Sequence, residues 1–258
     1  FDNNGNLELL KSEYGIKYRT YPDLDLVILN YDSLNSNKSE ELVQECRGLI
    51  LQLNTWNIVA YPFYRFFNYY EQHCNNIANF NFVGAIALEK LDGSMITLFY
   101  WKDKWFIATR NDIGGQNKND QGQQYDQLFE KSIPPNFYDH LNTNWNYIFE
   151  LTAPDNRVIK CYNDRSVNLL AIRDEKYHEL PLSVVQQYGQ ELNVKTPIVY
   201  QFNDLNDLRD LVSTFDATDE GIVCVDYSSY CSDGMSFKRI KVKNPSYLAI
   251  ALSLIHIS

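Results

Sequence analysis

Short apolar runs separated by polar or turn-forming residues recur along this chain, and most of them predict β-strands. Residues 85–88 are apolar, residues 95–101 are β-branched and aromatic, and Asp92-Gly93 between them is a strong hairpin-turn signal. Further strands are predicted over residues 47–51, 58–61, 105–109, 147–151, 167–172, 220–225 and 237–243, the first two as a second hairpin. Helices are predicted over residues 39–44, 125–131, 136–141, 182–188 and 205–212.

Lys90 lies at the mouth of the first predicted hairpin, where the backbone is fixed on both sides and the amine can point into whatever the sheet encloses. That position suits a covalent nucleophile. With an ordinary pKa near ~10.4, however, deprotonating a lysine at neutral pH costs roughly 4 to 5 kcal/mol. Nearby cations or desolvation must offset this cost, so the nucleophile hypothesis predicts further basic residues at the same site.

The predicted strand over residues 237–243 offers such cations. Strand alternation puts Arg239, Lys241 and Lys243 on one face, with Ile240 and Val242 on the other. A basic strand face is usually a solvated surface, and here it is also a candidate source of the positive charge that Lys90 needs.

Two other charged residues interrupt apolar segments. Glu150 ends a predicted apolar strand, where a carboxylate is unfavourable unless it has a partner or lies at a solvated edge. Arg65 lies inside the aromatic cluster of residues 63–67, where a cation–π contact at the edge of the core accounts for it without any functional role.

Composition limits the classes of function. The chain has 258 residues, 45% of them hydrophobic, which is enough for one large domain or two small ones. Its net charge of −10 argues against indiscriminate coating of nucleic acid but allows one basic cleft on an acidic body. No apolar run is long enough to span a bilayer, no phosphate-binding GxxxxGK pattern occurs, and four scattered histidines predict no zinc site. The cysteines are widely spaced and predict a reducing, cytoplasmic setting: Cys46, Cys74, Cys161, Cys224 and Cys231.

The order of motifs resembles that of the covalent nucleotidyltransferases, the superfamily of ATP-dependent ligases and mRNA capping enzymes. The matching motifs are Lys90-Leu91-Asp92-Gly93, Phe149-Glu150, Glu220-Gly221-Ile222-Val223 and Lys241-Val242-Lys243. A narrower likeness to phage-type RNA ligases that mend broken tRNA rests on Glu45-Cys46-Arg47-Gly48, Phe66-Phe67-Asn68, Ala153-Pro154 and Asn156-Arg157-Val158. The likeness covers residues from about 20 to 251, and ordered motifs are far more specific than a lone Lys-x-Asp-Gly. It departs at Arg65, where these ligases usually have lysine, and after Arg110, where they commonly have glycine.

The resemblance implies an α+β fold, the nucleotidyltransferase (ATP-grasp-like ligase) fold, with antiparallel sheets flanked by helices around a nucleotide cleft. It implies that Lys90 attacks the α-phosphate of ATP to form lysyl-AMP, that AMP passes to an RNA 5′-phosphate, and that a 3′-hydroxyl then displaces AMP. The implied catalytic residues are Lys90, Asp92, Lys241 and Lys243. The implied ATP-binding residues are Glu89, Arg47, Arg65, Arg110, Glu150, Leu170, Val223, Glu220, Lys241 and Lys243. Glu220 is also the predicted ligand of Mg²⁺, with Mn²⁺ as an alternative.

The implied partner is RNA with 5′-phosphate and 3′-hydroxyl ends, broken tRNA being one candidate, and the expected protein is a cytoplasmic monomer without a membrane partner, in the host cytoplasm if viral. We expect residues 1–251 to form an adenylyltransferase domain, residues 252–258 to be a non-native tail resembling sequencing-adapter read-through, and a natural C-terminal domain to be missing. The alternatives are a capping guanylyltransferase, a DNA ligase, or an RNA-end-binding module that has lost catalysis.

Overall fold

Three sheets form the framework of the protein in a computed structural model, which describes residues 6–71 and 80–255. The first sheet has the order β1 (Ile16–Tyr21), β2 (Leu26–Tyr31), β3 (Arg47–Gln52), β4 (Ile58–Ala60). The second has the order β10 (Ser166–Arg173), β9 (Asn146–Thr152), β7 (Ser94–Trp101), β8 (Lys104–Ala108). The third has the order β11 (Val199–Tyr200), β6 (Ala85–Glu89), β12 (Gly221–Tyr230), β13 (Phe237–Lys243), β5 (Phe67–Asn68). All the strand pairs are antiparallel except β13 with β5.

Helices cover the sheets. They are α1 (Leu7–Tyr14), α2 (Glu41–Glu45), α3 (Tyr125–Glu130), α4 (Leu182–Glu191), α5 (Leu205–Ser213) and α6 (Pro245–Ile255), with short 3₁₀ turns at Pro22–Leu24 and Phe137–His140. In α5 the Asp204 side chain caps the backbone N–H groups of Asn206 and Asp207, and the buried Leu208 and Val212 lie four residues apart on one face. The predicted mixture of antiparallel sheets and flanking helices is therefore confirmed.

Each sheet has its own apolar core. The second sheet packs against α3 and α4 through Phe129, Phe149 and Val185, and the third packs against α5. The first sheet joins the second through Ile28, Ile50 and Phe99. The helices cover one face of the second sheet and one face of the third. The remaining faces of these two sheets are therefore available to enclose a cavity.

The predicted hairpin at Asp92-Gly93 is wrong, because the strands that flank it belong to different sheets. Strand β6 pairs with β12 and β11, whereas β7 pairs with β9 and β8. Neither Asp92 nor Gly93 has the positive φ that a type I′ hairpin turn requires. Gly93 instead passes so close to β9 that an added Cβ would overlap the carbonyl oxygen of Leu151. Residues 90–93 are thus a crossing between two sheets.

Some predictions concern segments that are only partly described. Residues 252–255 of the predicted tail continue α6, while 256–258 lie outside the described residues. Cys74 also lies outside them, and the other four cysteines are free thiols. Among the helices of residues 6–71 and 80–255, none has the length and apolar character needed to cross a lipid bilayer.

Candidate active site

A cavity of about 330 Å³ lies where the second and third sheets meet, beside the crossing segment that carries Lys90. All but three of the predicted site residues border it: Arg47, Glu89, Lys90, Asp92, Arg110, Glu150, Leu170, Glu220 and Val223. The other three, Arg65, Lys241 and Lys243, contact residues of its wall or lie just behind them. Residues distant in sequence are therefore gathered as the motif order predicted.

Lys90 faces a carboxylate that it shares with a second lysine. Its Nζ lies 2.6 Å from Oε2 of Glu220, and Nζ of Lys243 lies 2.8 Å from Oε1 of the same side chain. Burial opposes ionisation of Glu220, but the two lysines outweigh it and lower the pKa of this carboxyl. The Lys90 side chain is only about one-fifth exposed, and its amine is paired with Glu220.

Backbone pairing fixes this arrangement. The N–H of Lys90 donates to the carbonyl of Gly221 over 2.9 Å, and Gly221 lies opposite Lys243 in the β12–β13 register. Gly221 has a φ of +132°, and a Cβ there would overlap the carbonyl oxygen of Val242. Only glycine can follow Glu220 at this close approach, which gives the Glu-Gly pair a structural reason.

The basic face of β13 is buried at Arg239 and half-buried at Lys241 and Lys243. Burial, followed by repulsion from Arg47, Lys90 and Lys243, lowers the pKa of Lys241 to about 7. Its Nζ lies 5.0 Å from the centre of the Phe66 ring. The interpretation of this strand face as an ordinary solvated surface is therefore wrong, and Lys241 adds positive potential next to the cavity.

Glu150 lies inside β9 rather than at its end, and it borders the cavity. Burial raises the pKa of Glu150 to about 7, against the opposing effect of Lys90. Its Oε1 accepts the N–H of Gly93 over 3.1 Å, so the carboxyl is tied to the crossing segment. Glu150 therefore does not lie at a solvated sheet edge.

Two of the predicted ATP-binding residues, Leu170 and Val223, lie on different sheets. The β9–β10 register shifts between Leu169 and Ala171, so Leu170 is the extra residue of a β-bulge and borders the cavity. Val223, on β12, borders it from the third sheet. A bulge is a common way to aim one side chain out of the strand alternation and into a site.

The carboxylate of Asp92 is bound by three hydrogen-bond donors. It accepts the backbone N–H groups of Ile159 and Lys160 at 2.8 and 2.6 Å and the hydroxyl of Tyr247 at 2.7 Å. The side chain is 3% exposed. These contacts favour a role in fixing the crossing segment, and a direct catalytic role for Asp92 stays a prediction.

Three guanidinium groups surround Tyr31. Arg65 and Arg110 lie 4.8 and 5.3 Å from its ring centre, and Arg65 also donates to its hydroxyl. Burial raises the pKa of Tyr31, but Arg110, Arg65 and Arg47 together lower it. The predicted cation–π contact of Arg65 is confirmed. The Nε atoms of Arg65 and Arg110 are nevertheless buried without a partner among the described residues, which suits an absent anionic ligand.

Sequence reasoning missed a buried ion network behind the cavity. Glu179 is 2% exposed and binds both Arg173 and Arg239. Arg239 also borders the cavity and lies 4.6 Å from the centre of the Phe63 ring. The basic strand pattern indicated Arg239, but no local signal linked it to a glutamate 60 residues earlier.

The donor set for a metal is sparse. No cluster of three or more His, Cys, Asp or Glu side chains suited to a metal ion occurs in the described parts of the chain. The residues therefore fit a divalent ion that arrives with a phosphate ligand and needs one carboxylate, as Mg²⁺ commonly does, rather than an all-protein cage. Glu220 is the carboxylate nearest Lys90.

Comparison with known proteins places this geometry in a family. A model of the RNA ligase family matches residues 45–247. The chain is 26% identical over 246 residues to a protein named "Putative bifunctional polynucleotide kinase/RNA ligase" from Autographa californica nuclear polyhedrosis virus, covering 86% of this chain and 34% of that protein. It is 27% identical over 264 residues to the RNA ligase of Rhodothermus phage RM378, covering 80% of this chain and 59% of that one.

The chain thus spans between about one third and three fifths of the length of these curated relatives. Among solved structures, the fold is similar to that of an archaeal ATP-dependent RNA ligase, with a TM-score of 0.66 and 12% identity, covering 95% of this chain and 62% of that chain. This likeness confirms the predicted nucleotidyltransferase fold. The family model covers well over half of the sequence, and the chain belongs to the RNA ligase family.

Proposed function

We propose that this protein is an ATP-dependent RNA ligase that works through a covalent lysyl-AMP intermediate on Lys90. The observation that carries the proposal is the pairing of Lys90 and Lys243 on one carboxylate, Glu220, at the wall of the cavity between two sheets, with Lys241 packed against the wall residue Phe66. Phosphoryl transfer depends mainly on positioning and on neutralising negative charge, and this cluster supplies both.

The reaction has three steps. The nitrogen of Lys90 bonds to the α-phosphorus of ATP, the bond to the β-phosphate oxygen breaks, and pyrophosphate leaves with the electron pair. An oxygen of the RNA 5′-phosphate then attacks the same phosphorus, the P–N bond breaks, and its electron pair returns to the lysine, which regains a proton. Finally the RNA 3′-hydroxyl attacks the 5′-phosphorus, loses its proton and displaces AMP.

The other residues bind or position the substrates. Lys241 and Lys243 contact the α-phosphate, while Arg47, Arg65 and Arg110 hold the outer phosphates or the RNA end; the unpartnered Nε atoms of Arg65 and Arg110 support this role. Glu150 accepts hydrogen bonds from the ribose hydroxyls, Leu170 and Val223 sandwich the adenine, and Glu89 lies near its amino group. Asp92 holds the crossing segment so that Lys90 keeps its position.

A divalent ion, Mg²⁺ or alternatively Mn²⁺, is the proposed cofactor. Glu220 would hold it, through water as is usual for Mg²⁺. When bound, the ion neutralises phosphate charge. Glu220 is paired with Lys90 in the structure, so a divalent ion held by Glu220 would compete with that ion pair.

The setting of the reaction is also a proposal. RNA with 5′-phosphate and 3′-hydroxyl ends is the substrate, broken tRNA is one candidate, and the protein acts as a cytoplasmic monomer, in the host cytoplasm if viral. Residues 1–251 form the adenylyltransferase domain.

The experiment is covalent labelling with α-labelled ATP and a divalent ion. We expect the label to remain on denatured protein, to be absent from Lys90→Ala, and to be normal in Lys176→Ala, a control at an exposed lysine. No label, or equal label in Lys90→Ala, refutes the proposal. Labelling from GTP instead of ATP indicates a capping guanylyltransferase, and transfer to nicked DNA but not RNA indicates a DNA ligase.

A further inference from the structure

A second groove adjoins the candidate active site. It has a volume of about 350 Å³ and shares Gly93, Met95 and Arg110 with the wall of the first cavity. Its remaining wall includes Asn111, Asn117 and Lys118 from the polar segment that follows β8. We propose that this groove binds the terminal 5′-phosphorylated nucleotide of the RNA strand that receives AMP; this inference rests on the proposed function.

The charge of the groove favours an anionic ligand. Two cations, Arg110 and Lys118, border it, and its lining residues within 6–71 and 80–255 include no Asp or Glu. The whole chain, in contrast, has a net charge of −10. A local cationic surface on an acidic protein attracts a phosphate to that place and disfavours nonspecific binding elsewhere.

Polar groups in the groove also lack partners. The buried Nε of Arg110 has none within the described residues. The side chains of Asn117 and Lys118 are exposed, and within the described residues no protein group binds their amide or amine. The buried guanidinium of Arg110 and these two exposed side chains can donate hydrogen bonds to the phosphate and hydroxyl oxygens of a ligand.

Hydrogen bonds made by Asp112 and Asn119 fix the wall of the groove. Asp112 is 1% exposed, and its carboxylate accepts the Arg19 guanidinium, the Tyr21 hydroxyl and the backbone N–H of Asn117. Further along, the Asn119 side chain donates to the carbonyl of Asp155 over 2.7 Å. The backbone of the segment is thus anchored on both sides of Lys118, so that only side chains need to be ordered when a ligand binds.

The cationic side chains and the amide side chain of the groove suit different groups of the RNA terminus. Lys118 and Arg110 suit the 5′-phosphate, which must reach the adenylate on Lys90 in the second step. The Asn117 amide suits the 2′-hydroxyl of the terminal ribose, the group that separates RNA from DNA. The groove therefore supplies a preference for a ribonucleotide at the phosphorylated end.

The test measures binding of short RNA by fluorescence anisotropy at fixed salt, together with covalent labelling from ATP. Lys118→Ala and Asn117→Ala are compared with the wild type and with Lys176→Ala, whose side chain is exposed and outside the groove. The RNA carries a 5′-phosphate, a 5′-hydroxyl, or a 5′-phosphate on a terminal 2′-deoxynucleotide. Each variant is thus paired with the ligand that lacks its proposed partner, as in a double-mutant cycle.

We expect Lys118→Ala to weaken binding of 5′-phosphorylated RNA by about tenfold and to change binding of 5′-hydroxyl RNA little. Asn117→Ala should weaken binding of the all-ribose RNA by about fivefold and leave the deoxy-terminated RNA unchanged. Labelling from ATP should stay normal in both variants. Equal losses for matched and unmatched ligands, or no loss, overturn the inference, whereas a wild type that takes no label refutes the proposed function itself.

Discussion

Replacing Lys241 by methionine should stabilise the fold while it removes the activity. Burial and neighbouring cations lower the pKa of Lys241 to about 7, against an ordinary value near ~10.4. Between these two values the unfolded chain holds a proton that the folded chain has released, so stability rises with pH across that window. The destabilising effect of Lys241 is therefore complete below pH 7 and lost above about pH 10.4.

The size of the effect follows from the same difference. At ~1.36 kcal/mol for each tenfold change in proton affinity, the charged amine destabilises the fold by at most about 4 to 5 kcal/mol at pH 6. Water in the cavity and the lost contact with Phe66, 5.0 Å away, reduce the gain. We expect Lys241→Met to gain about 1 to 3 kcal/mol, which raises the Tm by about 2 to 10 °C for a chain of this size.

The assay is thermal unfolding without nucleotide at pH 6, 7.5 and 9. The gain of Lys241→Met over the wild type should fall to less than half between pH 6 and pH 9. Lys176→Met is the matched control, because that lysine is exposed and its loss should change stability by no more than about 0.5 kcal/mol at any pH. A variant less stable than the wild type at pH 6, or a gain independent of pH, refutes the reasoning.

Three further predictions concern residues around the cavity. Glu179→Gln leaves two buried arginines without their counter-charge and should destabilise the protein by about 3 to 5 kcal/mol in urea unfolding, and a change below 1 kcal/mol contradicts it. Gly93→Ala should cost about 2 to 4 kcal/mol because its Cβ meets the Leu151 carbonyl, whereas Gly84→Ala, beside only a flexible side chain, serves as a near-neutral control. Leu170→Ala should raise the KM for ATP in the labelling reaction by about fivefold with little change in Tm, and an unchanged KM removes Leu170 from the base pocket.

Local patterns in the sequence predicted much of this fold because strand and helix signals extend over a few neighbouring residues. Alternation along residues 237–243 separated the cationic face of β13 from Ile240 and Val242, which are buried in the core of the third sheet. The pairing of β3 with β4 was equally predictable from the sequence, because the connection between these two strands is short. In both cases the deciding contacts are close in sequence.

The misread turn shows where such reasoning stops. Asp92-Gly93 has the composition of a hairpin turn, yet distant groups decide its conformation: Asp92 accepts two backbone N–H groups near residue 160 and the hydroxyl of Tyr247. For the same reason, local patterns did not predict the ion pair between Glu179 and Arg239. This ion pair joins a loop after β10 to the middle of β13. The packing of whole sheets determines which residues meet across such long sequence separations, and local sequence patterns cannot predict these contacts.

The wrong hairpin also changes how the site should be understood. In a hairpin, Lys90 would draw its neighbours from one sheet; as a crossing residue it meets Glu220 and Lys243 from the third sheet while Gly93, three residues on, meets Glu150 of the second. Any shift between the two sheets therefore moves the carboxyl of Glu150 relative to that of Glu220. Because the activity that we propose needs both at once, the amine is positioned by the contact between sheets, and substitutions that loosen this contact should reduce labelling even when they lie outside the cavity.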